Sequence, residues 1–138
     1  MTYETFDLAQ QAVIVSAIVE VDGMTRDLKL LVDTGTYETL ICETAIKSLW
    51  LTPANCIEQT PIRTVTGSDT AYRYQIDSIT ALGIEKRNIK IISYPMPRNA
   101  GVDGLLGLDF FVNRKLIIDF ILSQISVVSG RNNGYIND

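Results

Sequence analysis

Residues 30–36 (LLVDTGT) form the segment whose side chains are best suited to chemistry. An apolar strand is predicted to run directly into Asp33, so this carboxylate stands at the end of a buried element and not on a free surface. A carboxylate at a partly buried strand end raises the free energy of the fold, so it is expected to be paired with another group or to have a catalytic role. Thr34 supplies a hydroxyl that can fix a neighbouring group, and Gly35 allows a turn or a close approach of the backbone. The alternatives are a working acid and a turn aspartate that caps its own backbone, and the tripeptide alone favours the turn.

The composition narrows the chemistry that the chain can support. Its 138 residues carry a net charge of −4 and include no histidine, which excludes an imidazole base and a histidine metal ligand. A negative net charge also gives no indication of nucleic-acid binding, which is typical of basic proteins. Cys42 and Cys56 lack the spacing of metal ligands and are interpreted as reduced, buried side chains, and a disulfide between them has no support. We therefore expect no metal and no organic cofactor.

The length fits one domain over residues 1–138, with a core at about residues 12–128 and a polar tail at residues 130–138. The first seven residues lack the basic start and apolar core of a signal peptide. The longest uncharged stretch near them, residues 8–19, is too short and too polar to span a bilayer. These features predict a cytoplasmic protein that does not cross a membrane.

Short runs of β-branched residues, separated by turn signals at roughly even spacing, predict an all-β barrel or sandwich. Asp22-Gly23 is a two-residue hairpin signal between strands at residues 12–21 and 28–32. The other predicted elements are strands at residues 39–42, 62–65, 71–76, 79–82, 89–92, 116–120 and 125–128, a helix at residues 43–49, a turn at residues 66–69 and a loop at residues 93–101.

The order of these segments resembles the retropepsin-like aspartic protease family. Residues 13–32, followed by LVDTGT, are similar to its N-terminal hairpin and catalytic loop. Residues 64–68 (TVTGS) stand where the family has its flap, a mobile hairpin with a glycine at its tip. Residues 104–111 (GLLGLDFF) resemble the apolar-apolar-glycine signature with its short helix, and residues 116–120 match the strand that follows. Leu108 stands where viral members often carry arginine, so the chain resembles non-viral, bacterial-type members.

This resemblance implies an all-β, retropepsin-like closed barrel or sandwich with one or two short helices, functional as a two-fold homodimer. It implies an aspartic endopeptidase in which Asp33 from each subunit shares a proton and activates a water that hydrolyses peptide bonds of an extended polypeptide. The aspartic-protease dyad is the established example of such coupling. Thr34 would bond across the dimer, and Gly35 would leave room for the substrate backbone. The flap that closes over the peptide would consist of Thr64, Val65, Thr66, Gly67 and Ser68, and the structural signature of Leu105, Leu106 and Gly107.

Two other functions are open at the level of the sequence. One is a catalytically silent peptide-binding or assembly module on the same fold. The other is a small β-barrel with a structural role, in which Asp-Thr-Gly is a turn. The intact motif argues against the silent module, because such a module has no need of a costly buried acid pair. Three other acids, Asp103, Asp109 and Asp119, are interpreted as turn or cap residues.

Overall fold

The computed structural model describes residues 3–95, 101–132 and 135–137. Within them β-strands dominate, and the helices are short. The strands are β1 (Tyr3–Thr5), β2 (Ile14–Val21), β3 (Met24–Val32), β4 (Leu40–Ile41), β5 (Glu58–Thr64), β6 (Gly67–Ala81), β7 (Ile84–Ser93), β8 (Gly104–Leu106), β9 (Arg114–Asp119), β10 (Gln124–Asn132) and β11 (Tyr135–Asn137). The helices are α1 (Glu43–Ser48) and α2 (Leu108–Phe111), with 3₁₀ turns at Leu8–Gln10 and Pro53–Asn55.

Six of the described strands close into a barrel. Strand β2 pairs antiparallel with β3 and also with β6. Strand β3 pairs in parallel with β8, β8 with β4, β4 in parallel with β7, and β7 with β6. The ring is therefore β2-β3-β8-β4-β7-β6 and back to β2, while β5 pairs with the other end of β6. Closure protects the strand edges, and the predicted all-β closed barrel with two short helices is confirmed.

Alternating residues of the strands fill the barrel interior, as the sequence pattern predicted. Along β2, the buried side chains are every second residue from Val15 to Val21. Each buried valine among them stabilises the fold by about 1.5–3 kcal/mol through burial. Helix α1 and the residue that follows it add three side chains to the same core, at the spacing that predicted a helix there: Ala45, Ile46 and Leu49.

A second sheet joins the two ends of the chain. Strand β10 pairs antiparallel with β9 on one side and with β1, through Tyr3 and Ser126, on the other. Phe6 is buried and packs edge-on against the Phe120 ring at 5.8 Å. Residues of the predicted polar tail also belong to strands, because β10 runs to Asn132 and pairs with β11. Residues 133, 134 and 138 of that tail lie outside the described residues.

The hairpin of β5 and β6 differs in detail from its prediction. The sequence analysis placed a four-residue turn at residues 66–69, whereas the strands are longer and only Val65 and Thr66 form the turn. Gly67 pairs with Thr64 as the first residue of β6, with φ 143°. A glycine read as the turn is therefore the strand's starting residue, in a backbone conformation that favours glycine.

Residues 79–82 were predicted as a separate strand, but residues 79–81 are the continuation of β6. The polar residues Asp77 and Ser78 lie between the two predicted strands. In the fold these side chains have partners on β2 and its turn: the Asp22 N–H donates to Asp77 Oδ2 at 2.7 Å, and Ser78 Oγ donates to Glu20 Oε1 at 3.2 Å. Partners from a distant strand therefore allow polar residues to continue the strand.

Three further observations concern predictions made from the sequence. In the described part of the chain, no helix has the length and apolar character needed to span a bilayer. Cys42 and Cys56 are both free thiols and only partly buried. Of the predicted loop at residues 93–101, residues 96–100 lie outside the described residues, and Ser93 is the last residue of β7.

Candidate active site

Asp33 follows the last residue of β3, where that strand lies beside β8. Leu30 and Val32 pair in parallel with Gly104 and Leu106. The Asp33 N–H then continues this ladder by donating to the Leu106 carbonyl at 3.0 Å. The backbone of Asp33 is therefore held by a strand that is distant from it in the sequence, and its side chain is only partly buried.

The carboxylate of Asp33 is oriented by its own turn. The Gly35 N–H donates to Asp33 Oδ1 at 2.9 Å, and the Thr36 N–H approaches the Asp33 carbonyl at 3.4 Å. No other donor among the described residues reaches this carboxylate. Thr34 and Gly35 are exposed. The acid is thus fixed through Oδ1 and has Oδ2 available for another partner, which suits both a working acid and a capped turn.

Gly35 leaves room for the acid. A Cβ on this residue would lie 3.1 Å from Asp33 Oδ1. That is tighter than an ordinary van der Waals contact, so a side chain at this position would press on the carboxylate. The glycine predicted at the site therefore has a steric role toward Asp33 itself.

The predicted signature Leu105-Leu106-Gly107 lies directly against the loop that follows Asp33. Leu106 is fully buried in the core. A Cβ on Gly107 would lie 2.7 Å from the Tyr37 carbonyl oxygen, so only glycine fits there without a shift of the backbone. The first two N–H groups of α2 complete the contact, since Leu108 donates to Thr36 O and Asp109 donates to Tyr37 O, each at 2.9 Å.

A buried hydroxyl–carboxylate pair fastens the same two loops, and the sequence analysis missed it. Thr39 is fully buried; its Oγ1 donates to Asp109 Oδ1 at 2.6 Å, and its N–H donates to Asp109 Oδ2 at 2.9 Å. Thr39 Oγ1 also accepts from the Gly107 N–H at 3.0 Å. Asp109 was interpreted as a turn or cap residue, but it binds a residue 70 positions away. The available signal was an acid two positions after the signature glycine.

The other two acids interpreted as structural have local or backbone partners. Asp103 Oδ2 accepts from the Lys29 N–H at 2.9 Å, which joins β8 to β3 just before its end. Asp119 Oδ1 accepts from the N–H groups of Ile121 and Leu122 and so caps the turn between β9 and β10. Both carboxylates are engaged by backbone donors away from Asp33.

The predicted flap is the end of the β5–β6 hairpin. Val65 is fully exposed, and Gly67 and Ser68 are exposed as well. Within the described residues, no hydrogen bond or ion pair joins residues 64–68 to Asp33. The structure therefore brings Asp33, Gly35 and the signature together, and no described hydrogen bond joins the hairpin tip to them.

Lower on the hairpin, Arg73 of β6 forms a two-pronged ion pair with Glu38. Its Nε donates to Glu38 Oε2 and its Nη2 to Glu38 Oε1, both at 2.8 Å. These hydrogen bonds lower the pKa of Glu38 below its ordinary value of 4.5 and raise that of Arg73. Glu38 lies five residues after Asp33, and neither local pattern indicated the pair.

The described residues contain no cluster of three histidine, cysteine, aspartate or glutamate side chains that could hold a metal ion. The described groups at this place are the Asp33 carboxylate, the Gly35 N–H that binds its Oδ1, and the exposed residue Thr34 next to it in the chain. Such a set can carry acid–base chemistry on a bound water.

Known proteins resemble the chain both in sequence and in structure. The sequence model of a family described as gag-polyprotein putative aspartyl protease matches residues 17–113, which is more than half of the chain. The fold is similar to the crystal structure of a retropepsin-like aspartic protease from Rickettsia conorii, with a TM-score of 0.63 and 18% sequence identity. That match covers 91% of this chain and 86% of the other. None of the curated proteins matches the chain.

Proposed function

Since the chain belongs to the gag-polyprotein putative aspartyl protease family and has the retropepsin-like fold, we propose that it is an aspartic endopeptidase that works as a homodimer. In this proposal residues 1–138 form one protease domain. The observation that carries it is the setting of Asp33. Its backbone is fixed by β8 and its Oδ1 by Gly35, while Oδ2 has no donor among the described residues.

A second chain is needed because the sequence contains one Asp-Thr-Gly. The reaction proposed here requires two carboxylates side by side. A second apolar strand that leads into a glycine occurs at the end of β8. It has Leu106-Gly107-Leu108 there and no Asp-Thr-Gly. A two-fold pairing of identical chains presents the same residue twice, and it is the commonest symmetry of protein oligomers.

The two Asp33 carboxylates then hold one proton between them, because two adjacent negative charges repel. The ionised carboxylate accepts a proton from a bound water as that water attacks the peptide carbonyl. The protonated carboxylate donates its hydrogen bond to the carbonyl oxygen, on which negative charge develops. The hydrogen bond from the Gly35 N–H to Oδ1 holds the orientation of each carboxylate, and Oδ2 is the oxygen that contacts the water or the substrate.

Thr34 and the hairpin complete the proposal. Thr34, exposed beside Asp33, bonds to the partner's loop and keeps the two acids together. The hairpin end, made of Thr64, Val65, Thr66, Gly67 and Ser68, closes over an extended peptide. Its main chain then adds hydrogen bonds in the manner of an extra strand and excludes water from the dyad.

The test compares the wild type with Asp33→Asn in cleavage of a denatured protein across pH 3 to 8, with sedimentation of each form. Asp27→Asn is the matched control, because Asp27 lies exposed on the same strand and its replacement changes the same charge. We expect Asp33→Asn to lose cleavage while it still dimerises, and Asp27→Asn to keep both properties. Undiminished cleavage by Asp33→Asn would contradict the proposal.

The silent peptide-binding or assembly module is the second candidate. It is favoured by the Gly35 N–H bond to Oδ1, because a turn aspartate without catalytic work makes the same bond. If neither wild type nor Asp33→Asn cleaves, and both bind the same extended peptide as dimers, the binding module replaces the protease.

A further inference from the structure

The guanidinium of Arg73 lies where three segments of the chain meet. Two of its nitrogens bind the Glu38 carboxylate, and Nη1 donates to Thr60 Oγ1 at 2.6 Å. Glu58 approaches the same Nη1 at 3.5 Å. Thr60 and Glu58 belong to β5, Arg73 belongs to β6, and Glu38 belongs to the loop between Asp33 and β4.

The two sides of this contact differ in how firmly the rest of the fold holds them. Glu38 lies between Tyr37, whose carbonyl binds α2, and Thr39, which is buried and bound to Asp109. The hairpin, by contrast, extends from the ring and ends in the fully exposed Val65. Arg73 therefore joins a projecting hairpin to a loop that is fixed on both sides of the contact.

We propose that Arg73 is a positioning residue that holds the base of the β5–β6 hairpin against the loop carrying Asp33, through Glu38 on the loop and Thr60 on the hairpin. It sets the point from which the hairpin end moves, and hence where a closing hairpin meets the acid. The structural role stands by itself. Its effect on cleavage rests on the function proposed above.

Arginine is suited to this role by the shape of its side chain. The planar guanidinium meets a carboxylate with two parallel hydrogen bonds and still has a donor for Thr60. Lysine has the same charge but cannot make this arrangement. The Arg73 side chain is 19% exposed and that of Glu38 34%, so the pair is better shielded than an ordinary surface ion pair.

The charges around Glu38 support the same role. The groove beside it is lined by side chains from several elements: Tyr37, Glu58, Arg73, Lys86, Lys90 and Asp109. Of these, Arg73 makes the hydrogen bonds that lower the pKa of Glu38. The Glu38 carboxylate is thus ionised to a lower pH than an ordinary glutamate, which keeps its pairing with Arg73.

The experiment measures backbone hydrogen exchange by mass spectrometry in the wild type, Arg73→Lys and Glu38→Gln. Glu43→Gln is the matched control, because it breaks an exposed ion pair with Lys47 on α1. We expect exchange in residues 57–72 to rise by about tenfold in the first two variants, as for loss of charged hydrogen bonds. Exchange in β2 and in the control should not change. Unchanged exchange in residues 57–72 in both variants would overturn the proposal.

Cleavage by the same variants tests the functional part. A displaced hairpin binds substrate and transition state less well to a similar degree, so KM should rise by about fivefold with kcat within about twofold. Faster hydrogen exchange in residues 57–72 with unchanged KM and kcat would overturn the link to catalysis. The exchange result does not need an active enzyme, and Asp33→Asn tests the proposed function separately, so the two failures are distinguishable.

Discussion

Thr39 and Asp109, 70 residues apart in the chain, are joined by two hydrogen bonds of 2.6 and 2.9 Å. The first residue belongs to the loop that follows Asp33, and the second to the helix that follows the signature glycine. Thr39 Oγ1 also accepts from the Gly107 N–H, so one buried hydroxyl binds both the signature glycine and the helix that follows it. The pair therefore joins the loop that follows Asp33 to the start of α2.

Replacing Thr39 with valine should lower the free energy of unfolding by about 1–3 kcal/mol, because Asp109 Oδ1 and the buried Gly107 N–H lose the hydroxyl that binds them. Urea unfolding measures the effect. The exposed Thr25→Val on β3 is the control and should stay within about 0.5 kcal/mol of the wild type. Equal stability of both variants would show that the pair does not fasten the loops.

Alanine at the two glycines of the site should have different consequences. Gly107→Ala places a Cβ 2.7 Å from a backbone oxygen, so the loops must separate, and we expect a loss of about 1–3 kcal/mol of stability. Gly35→Ala meets the movable Asp33 side chain at 3.1 Å. It should leave stability nearly unchanged and lower cleavage. Thermal unfolding and cleavage assays on both variants decide, and the reverse pattern would contradict this assignment.

The pKa of Glu38 should depend on its ion pair with Arg73. Its pKa in the folded state lies below the ordinary value of 4.5 because of the hydrogen bonds from Arg73. The pair therefore contributes stability fully above the unfolded-state pKa and loses it as the pH falls through the folded-state value. A ¹³C NMR titration of the carboxyl group should give a midpoint below 4.5 that moves upward in Arg73→Gln. A midpoint that is the same in both proteins would argue against the pair.

The pH dependence of cleavage should follow the shared proton. We expect kcat/KM to be highest at acidic to mildly acidic pH and to fall as the pair loses its single proton. Steady-state rates on one peptide across the pH range measure this. Glu43→Gln should leave the profile unchanged, because the ion pair that Glu43 forms within the described residues is with the exposed Lys47. A rate that increases steadily up to pH 9 would exclude the mechanism.

The sequence predicted the parts of the fold that depend on local pattern. A run of β-branched residues located β2, and Asp22-Gly23 located its turn, because strand preference and turn geometry are set within a few residues. The setting of Asp33 at a strand end followed in the same way. The length of β6 did not, because Asp77 is accepted in the strand only through a partner on another hairpin.

The contacts that organise the candidate site were beyond such patterns. Thr39 with Asp109, and Glu38 with Arg73, lie 70 and 35 residues apart. Each is an ordinary polar residue in its own segment, and its partner is determined by barrel closure. A single sequence therefore indicated which acid to consider, while the tertiary structure identified the residues that hold its loop.

The parallel pairing of β3 with β8 also determines the order in which the site can be assembled. Asp33 is made early, but the carbonyl that receives its N–H belongs to Leu106. Contacts of such large sequence separation form late, since a long loop must first be closed. During synthesis, a nascent chain that ends before residue 104 carries the Asp-Thr-Gly sequence without the strand that frames it. The growing polypeptide on the ribosome thus acquires the complete setting of its acid only after Leu106 has been added.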